Sequence, residues 1–155
     1  MPLHADLLVR LRNASMARMR SVPVPYTQAN LSILSILLQQ GFIHSMTKGT
    51  VNHISDPAAF KAATLPAQRL WVNLKYSRND TPVLSTLDLV SKPSKRIWMD
   101  REELVRFVSF RRSQFVRPLE MGEVAIVDCG KEGWWEAREA VKRGIKGGEV
   151  VARAA

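Results

Sequence analysis

Gly133-Trp134-Trp135-Glu136-Ala137-Arg138-Glu139-Ala140, continuing to Gly147-Gly148-Glu149-Val150, is the firmest starting point in this 155-residue chain. Ahead of it lies the apolar run Val124-Ala125-Ile126-Val127, the centre of a buried strand expected over 123–128. A glycine turn follows, then a short charged helix expected over 134–143 and ended by Gly144. A last strand is expected over 149–153. Strand, turn, helix and strand in that order make the end of the chain a mixed α/β unit.

Working outward, Arg96-Ile97-Trp98-Met99 reads as a short strand. Asp100 with Glu103 three residues on resembles a capping box, opening a helix that buries Leu104, Phe107 and Val108. Residues 111–122 form a basic, proline-containing connector. Ser91-Lys92-Pro93-Ser94 marks the break between an N-terminal domain over 1–90 and a C-terminal domain over 91–155.

In the first half, 5–19 reads as a helix with Leu7, Leu8, Leu11, Ala14 and Ser15 on one face. Val22-Pro23-Val24-Pro25 stops it and suits a short edge strand, because proline offers no N–H to a ladder. Thr27 is a plausible N-cap for a helix through Gln40 that buries Leu31, Leu34, Leu37 and Leu38 and closes at Gly41. A strand beginning Phe42-Ile43 ends near Lys48-Gly49-Thr50. Residues 51–68 carry no period and read as irregular. Leu70, Val72, Leu74 and Tyr76 alternate with Trp71, Asn73 and Lys75 as a half-buried strand; 77–82 is a hairpin loop, and 83–90 is expected to return as its partner. The fold class is α/β in the α+β sense: two small mixed domains packed together, α-β-α-β-β(-β) then β-α-β-α-β.

The chain has 23 Lys+Arg against 14 Asp+Glu, a formal net charge of +9 and a pI near 10.3, which favours a polyanionic partner. Arg10, Arg12, Arg18, Arg20 and Lys48 face a single acid, Asp6, within 1–50. Lys92, Lys95, Arg96, Arg101, Arg106, Arg111, Arg112 and Arg117 outnumber Asp100, Glu102 and Glu103 within 92–118. Two basic zones about a near-neutral middle read as separate backbone footprints on RNA. Cys129 is the only cysteine, so no intrachain disulfide forms, consistent with a reducing compartment. No apolar run approaches the ~18–20 residues of a membrane span.

Four stretches together resemble the small-subunit ribosomal protein eight family. They are Ala5-Asp6-Leu7-Leu8-Val9-Arg10-Leu11-Arg12-Asn13-Ala14; Val24-Pro25-Tyr26 leading to Gly41-Phe42-Ile43; Leu74-Lys75-Tyr76 with Val90-Ser91-Lys92-Pro93-Ser94-Lys95-Arg96-Ile97-Trp98; and the C-terminal block quoted first. The resemblance spans nearly the whole chain. It implies a two-domain structural protein that binds a central-domain helix of small-subunit ribosomal RNA, meets neighbouring small-subunit proteins, and uses no cofactor, small-molecule substrate or membrane. The family's Ser-Thr-Ser-Lys-Gly turn is here Asp128-Cys129-Gly130-Lys131-Glu132-Gly133, without the hydroxyls and with two acids, and its tyrosine after Arg-Ile is here Trp98. These departures lean to an organellar member, in a mitochondrial and fungal ribosome, with a cytoplasmic or plastid ribosome as the alternative. An Arg-rich, serine-bearing, acid-poor N-terminus fits a mitochondrial address carried by a retained helix.

The RNA-binding candidates are Arg10, Arg12, Arg18 and Arg20 on the first helix and its exit; Ser91, Lys92, Pro93, Lys95, Arg96 and Trp98 at the junction; Cys129, Gly130, Lys131, Gly133 and Trp134 at the C-terminal turn; and Glu149. Lysine and arginine would neutralise phosphates, Trp98 or Trp134 would stack on a base, and Glu149 would accept from a base amino group or orient a basic side chain. If 134–143 is helical, Trp134 and Trp135 point about 100° apart, so at most one belongs to a core.

Catalytic readings have little footing. Cys129 lies far in sequence from His4, His44 and His53, Gly130-Lys131-Glu132-Gly133 lacks the Ser/Thr of a phosphate-binding loop, and one Cys with scattered His makes no zinc site. The rivals are a nucleic-acid-processing enzyme or accessory, which would need clustered carboxylates, and a basic docking module working through the first helix.

Overall fold

The computed structural model describes residues 3–155, with side chains from His4 onward, and the described residues divide into two compact units, 3–85 and 86–155. Met1 and Pro2, the first residues of the expected N-terminal domain, lie outside the described residues.

In the first unit, α1 (Leu3–Met16) buries Leu7, Leu8, Leu11, Ala14 and Ser15, the expected stripe, with Ala5 added. The edge strand β1 (Ser21–Pro25) pairs with β3 (Gln68–Leu74), which also pairs with β2 (Ile43–Thr50), all antiparallel. Thr27 caps α2 (Gln28–Gln39) by accepting the Asn30 N–H at 3.1 Å. At the other end Gly41 N–H donates to the Leu38 carbonyl and Phe42 N–H to that of Leu37, which ties off the last turn. The buried face of α2 is Ile33, Leu34, Ile36 and Leu37 rather than the expected set, since Leu31 and Leu38 are only half-buried.

Residues 51–68 are not wholly irregular. Asp56 accepts the Ala58 and Ala59 N–H groups at 3.0 and 3.1 Å and caps α3 (Pro57–Ala62), and a 3₁₀ turn follows at Leu65–Ala67. Six residues are too few to show a helical period, so periodicity does not reveal this helix.

The hairpin loop 77–82 is present, closed by Ser77 N–H to the Thr81 carbonyl at 2.9 Å and a Tyr76–Pro82 bridge. Its expected partner strand is not. Instead β4 (Leu87–Leu89) pairs with β8 (Gly147–Ala154) in the second unit. A strand's alternation specifies which face is buried, not which sheet it joins.

In the second unit β8 is central. Its first residues pair with β5 (Trp98–Asp100) and its last with β4 on one side; β6 (Val124–Asp128) runs along the other side and carries β7 (Trp134–Glu136) at the edge. The helices α4 (Arg101–Val108) and α5 (Ala137–Lys142) complete a core of Met99, Leu104, Phe107, Leu119, Ala125, Val127, Ala137, Ala140 and Val150. The capping box at Asp100 is absent, as its side chain makes no cap hydrogen bond. The expected helix over 134–143 starts only at Ala137. Glu136 is its N-cap, accepting Arg138 and Glu139 N–H at 2.9 and 3.2 Å, while Trp134 and Trp135 are drawn into the strand pairing with β6.

Candidate nucleic-acid interface

The register across the second unit's sheet puts four side chains in one row. Trp98 of β5 lies opposite Glu149 of β8, Glu149 opposite Asp128 of β6, and Asp128 opposite Trp134 of β7. Directly opposed residues share a face of a sheet, and at an inter-strand spacing of ~4.8 Å the row runs roughly 14 Å. None of the four is buried, and Trp98 is 58 % exposed. The neighbouring positions Met99, Gly148 and Val127 turn to the opposite face, where Met99 and Val127 join the core.

Gly148 is what lets the row close up. A Cβ there would lie 2.5 Å from the Val127 Cγ1, 2.8 Å from the Asp128 carbonyl oxygen and 3.1 Å from the Cys129 sulfur. Only a residue without a side chain lets β8 approach β6 and bring Glu149 beside Asp128.

Two turns border the row. The first is closed by reciprocal backbone hydrogen bonds between Lys92 and Lys95, at 3.1 and 3.0 Å. Lys92, Pro93, Lys95 and Arg96 stand exposed on it. Ser91 does not: its hydroxyl is buried, donating to the Val150 carbonyl at 2.7 Å and accepting Ile97 N–H at 3.0 Å. It holds the turn onto β8 instead of facing a ligand. Arg96 reaches Glu149 at 3.8 Å, a loose ion pair in which the arginine is largely exposed and its guanidinium stays accessible.

The second turn joins β6 to β7. Cys129 N–H donates to the Gly133 carbonyl at 2.9 Å and Gly130 N–H to the Asp128 carboxylate at 2.9 Å. The left-handed φ of +90° at Gly133 is the position that needs glycine. Gly130 and Lys131 are exposed. Cys129 is buried beneath them, and its thiol is pushed up to about 11 by burial and then by the nearby charges of Glu132 and Asp128. It packs the turn from below and has no nucleophile's setting.

The two adjacent tryptophans separate cleanly because a strand alternates by 180° where a helix would turn 100°. Trp135 packs against the core, donates its indole N–H to the Glu132 carbonyl at 2.7 Å and lies 3.9 Å beneath the Arg143 guanidinium. Trp134 belongs to the open row.

Of the sequence candidates, those from Ser91 to Glu149 all fall in the second unit, while Arg10, Arg12, Arg18 and Arg20 are exposed on the first. Arg10 donates to the Pro23 carbonyl at 3.1 Å. Sequence reasoning missed Asp128 as a member of the row, since only register reveals it. Among the described residues no cluster of His, Cys, Asp or Glu is disposed to hold a metal.

The face is open, with tryptophans at its ends, a carboxylate pair at its centre and basic turns alongside. A family model described as Ribosomal protein S8 matches residues 3–154. The chain belongs to the ribosomal protein S8 family. It is 35 % identical to the small ribosomal subunit protein uS8m of Neurospora crassa over 149 residues, covering 92 % of this chain and 91 % of that one. It is 34 % identical to the uS8m of Schizosaccharomyces pombe over 145 residues, with 92 % and 93 % covered. The bacterial uS8 of Clostridium kluyveri is 32 % identical over 150 residues, with 95 % and 92 % covered.

Proposed function

We propose that the Trp98–Glu149–Asp128–Trp134 row, with the turns at 92–95 and 129–133, is the surface by which this protein binds small-subunit ribosomal RNA. As an S8-family member the protein is a structural constituent of the small ribosomal subunit, not an enzyme, with ribosomal RNA and neighbouring ribosomal proteins as partners. Its place is the mitochondrial ribosome, in keeping with the uS8m relatives of two fungi.

The observation that carries the RNA reading is the single row of four opposed side chains. Lys92, Lys95, Arg96 and Lys131 neutralise phosphates and fix the position on the helix. Trp98 and Trp134 present ring faces to unstacked bases or to the sugar edge. Glu149 and Asp128 accept from base amino groups or 2′-hydroxyls of the wide, shallow minor groove of A-form RNA. Two carboxylates directly opposed repel one another; Arg96 and the Gly130 N–H relieve that repulsion here, and donors on RNA relieve it further.

The test is a salt series of binding to the family's central-domain rRNA hairpin against a scrambled hairpin of equal length. Preference for the cognate hairpin at physiological salt, with Lys92→Ala and Lys131→Ala each lowering the salt slope by about one, is the expected result. Equal binding to both hairpins that disappears with salt overturns the reading.

A further inference from the structure

The connector between α4 and β6 holds an arrangement that the hairpin-binding face does not use. Phe110-Arg111-Arg112-Ser113-Gln114-Phe115 sets two aromatic rings about two arginines, with no acid between residues 104 and 119. Phe110 is 54 % exposed and Phe115 61 % exposed. Arg111 and Arg112 are exposed as well. A cleft of about 540 Å³ opens between α4 and this segment, lined by Glu103, Arg106, Arg112, Ser113 and Gln114.

The backbone argues that this exposure is not incidental. Phe110 follows the end of α4 with a φ of +62°, and Arg111 N–H donates back to the Arg106 carbonyl at 2.9 Å. This is the left-handed position past a helix end that glycine ordinarily fills. A bulky residue there is an outlier, and the ring gains little burial in compensation. Strain held in this way points to a role outside the fold's own stability.

The rest of the connector is fixed. Ser113 donates its hydroxyl to the Val116 carbonyl at 2.7 Å, and Leu119 is buried. Arg117 is engaged by Glu120 at 2.9 Å and Glu123 at 3.5 Å. Arg111 and Arg112 therefore supply the charge, and the rings stand on an anchored base. Phe115 also lies 5.3 Å beneath the Lys95 ammonium, which joins the connector to the 92–95 turn.

We propose that Phe110 and Phe115, with Arg111 and Arg112 between them, form a second RNA site that takes single-stranded RNA, its bases stacked on the rings and its phosphates on the arginines. This rests on the protein being an RNA binder, and it extends the interface from a paired hairpin to an unpaired strand running past Lys95. Exposed aromatics favour unpaired over paired RNA because bases inside a duplex present no free ring face.

The test uses the full chain with three fluorescent RNAs: an oligouridine strand, a blunt duplex of the same length, and the cognate hairpin. Oligouridine should bind more tightly than the duplex. Phe115→Ala should weaken oligouridine binding about tenfold and leave hairpin binding within twofold. Phe110→Gly should weaken oligouridine binding similarly while raising the thermal midpoint, because glycine relieves the left-handed backbone. Oligouridine affinity unchanged in the double variant Phe110→Ala/Phe115→Ala overturns the proposal, and if that variant also loses co-sedimentation with the small subunit, the rings dock a protein. A wild-type chain that ignores the cognate hairpin but binds oligouridine through both rings overturns the hairpin face alone.

Discussion

Glu123 and Arg153 face each other inside the C-terminal unit at 5 % and 6 % exposure, with the Arg153 Nε donating to the Glu123 Oε1 at 2.7 Å and Nη2 bonding Oε2. Arg153 also donates to the Arg117 and Pro118 carbonyls at 2.7 and 2.9 Å, and the Glu120 N–H donates to Glu123 at 2.9 Å. The pair therefore pins the start of β6, the end of β8 and the connector at one point. Removing one partner leaves a buried charge uncompensated. Glu123→Gln is expected to cost about 3–5 kcal/mol of unfolding free energy, read by urea denaturation. A Glu123→Leu/Arg153→Met double variant should lose clearly less than the sum of the two single changes.

The same pair makes stability pH-dependent. Burial alone would raise the Glu123 pKa, but the hydrogen bonds from Arg153 and the Glu120 N–H, with the charges of Arg153 and Arg117, outweigh it and hold the carboxyl below its ordinary value. A depressed carboxyl stabilises the fold fully above its unfolded pKa and loses that contribution as pH falls through the folded one. The urea midpoint should fall on acidification below the ordinary carboxylate range. A Glu123→Gln chain should show a shallower fall there; equal falls in both chains would assign the acid sensitivity elsewhere.

Gly148→Ala tests the close approach of β8 to β6. The added methyl meets the Asp128 carbonyl and the Val127 side chain inside contact distance, and overpacking of this kind costs about 1–3 kcal/mol. Hairpin binding should weaken with it, because the shift separates Glu149 from Asp128. A chain as stable as the parent with undiminished binding would refute this account of the glycine.

Trp98→Ala separates binding from folding. At its exposed position the ring contributes little to the core, so thermal unfolding should change by less than about 0.5 kcal/mol. Loss of one stacked base should weaken hairpin binding by about 1–3 kcal/mol. A large stability loss with unchanged affinity would make Trp98 a packing residue.

Cys129 gives a probe of the turn. With its thiol buried and pushed up to about 11, iodoacetamide at pH 8 should alkylate the native chain far more slowly than the urea-unfolded chain. Equal rates would show the 129–133 turn to be open in solution.

Much of the fold was legible locally. Thr27, the proline pair Pro23 and Pro25, and the stripe from Leu7 to Ser15 each act through neighbours within a turn or two of chain, so spacing alone located α1, β1 and the start of α2. The turns at 92–95 and 130–133 are marked in the sequence by their lysines, proline and glycines, and residues 92–95 and 130–132 stand exposed. The helix expected from Trp134 failed because its start depends on a Glu136 cap and on pairing with β6, which compete with helix propensity from outside the segment.

The sequence by itself determined the class, the basic character, the buried face of the first helix and the family, because periodicity, charge and motif order are carried along the chain. Tertiary structure alone decided that 87–89 joins the second unit's sheet, that Ser91 and Cys129 turn inward, and that Glu123 meets Arg153 across 30 residues. It alone aligned Trp98, Glu149, Asp128 and Trp134. Strand register and buried pairing are relations between distant segments, set by how well whole faces pack, and no local pattern encodes them.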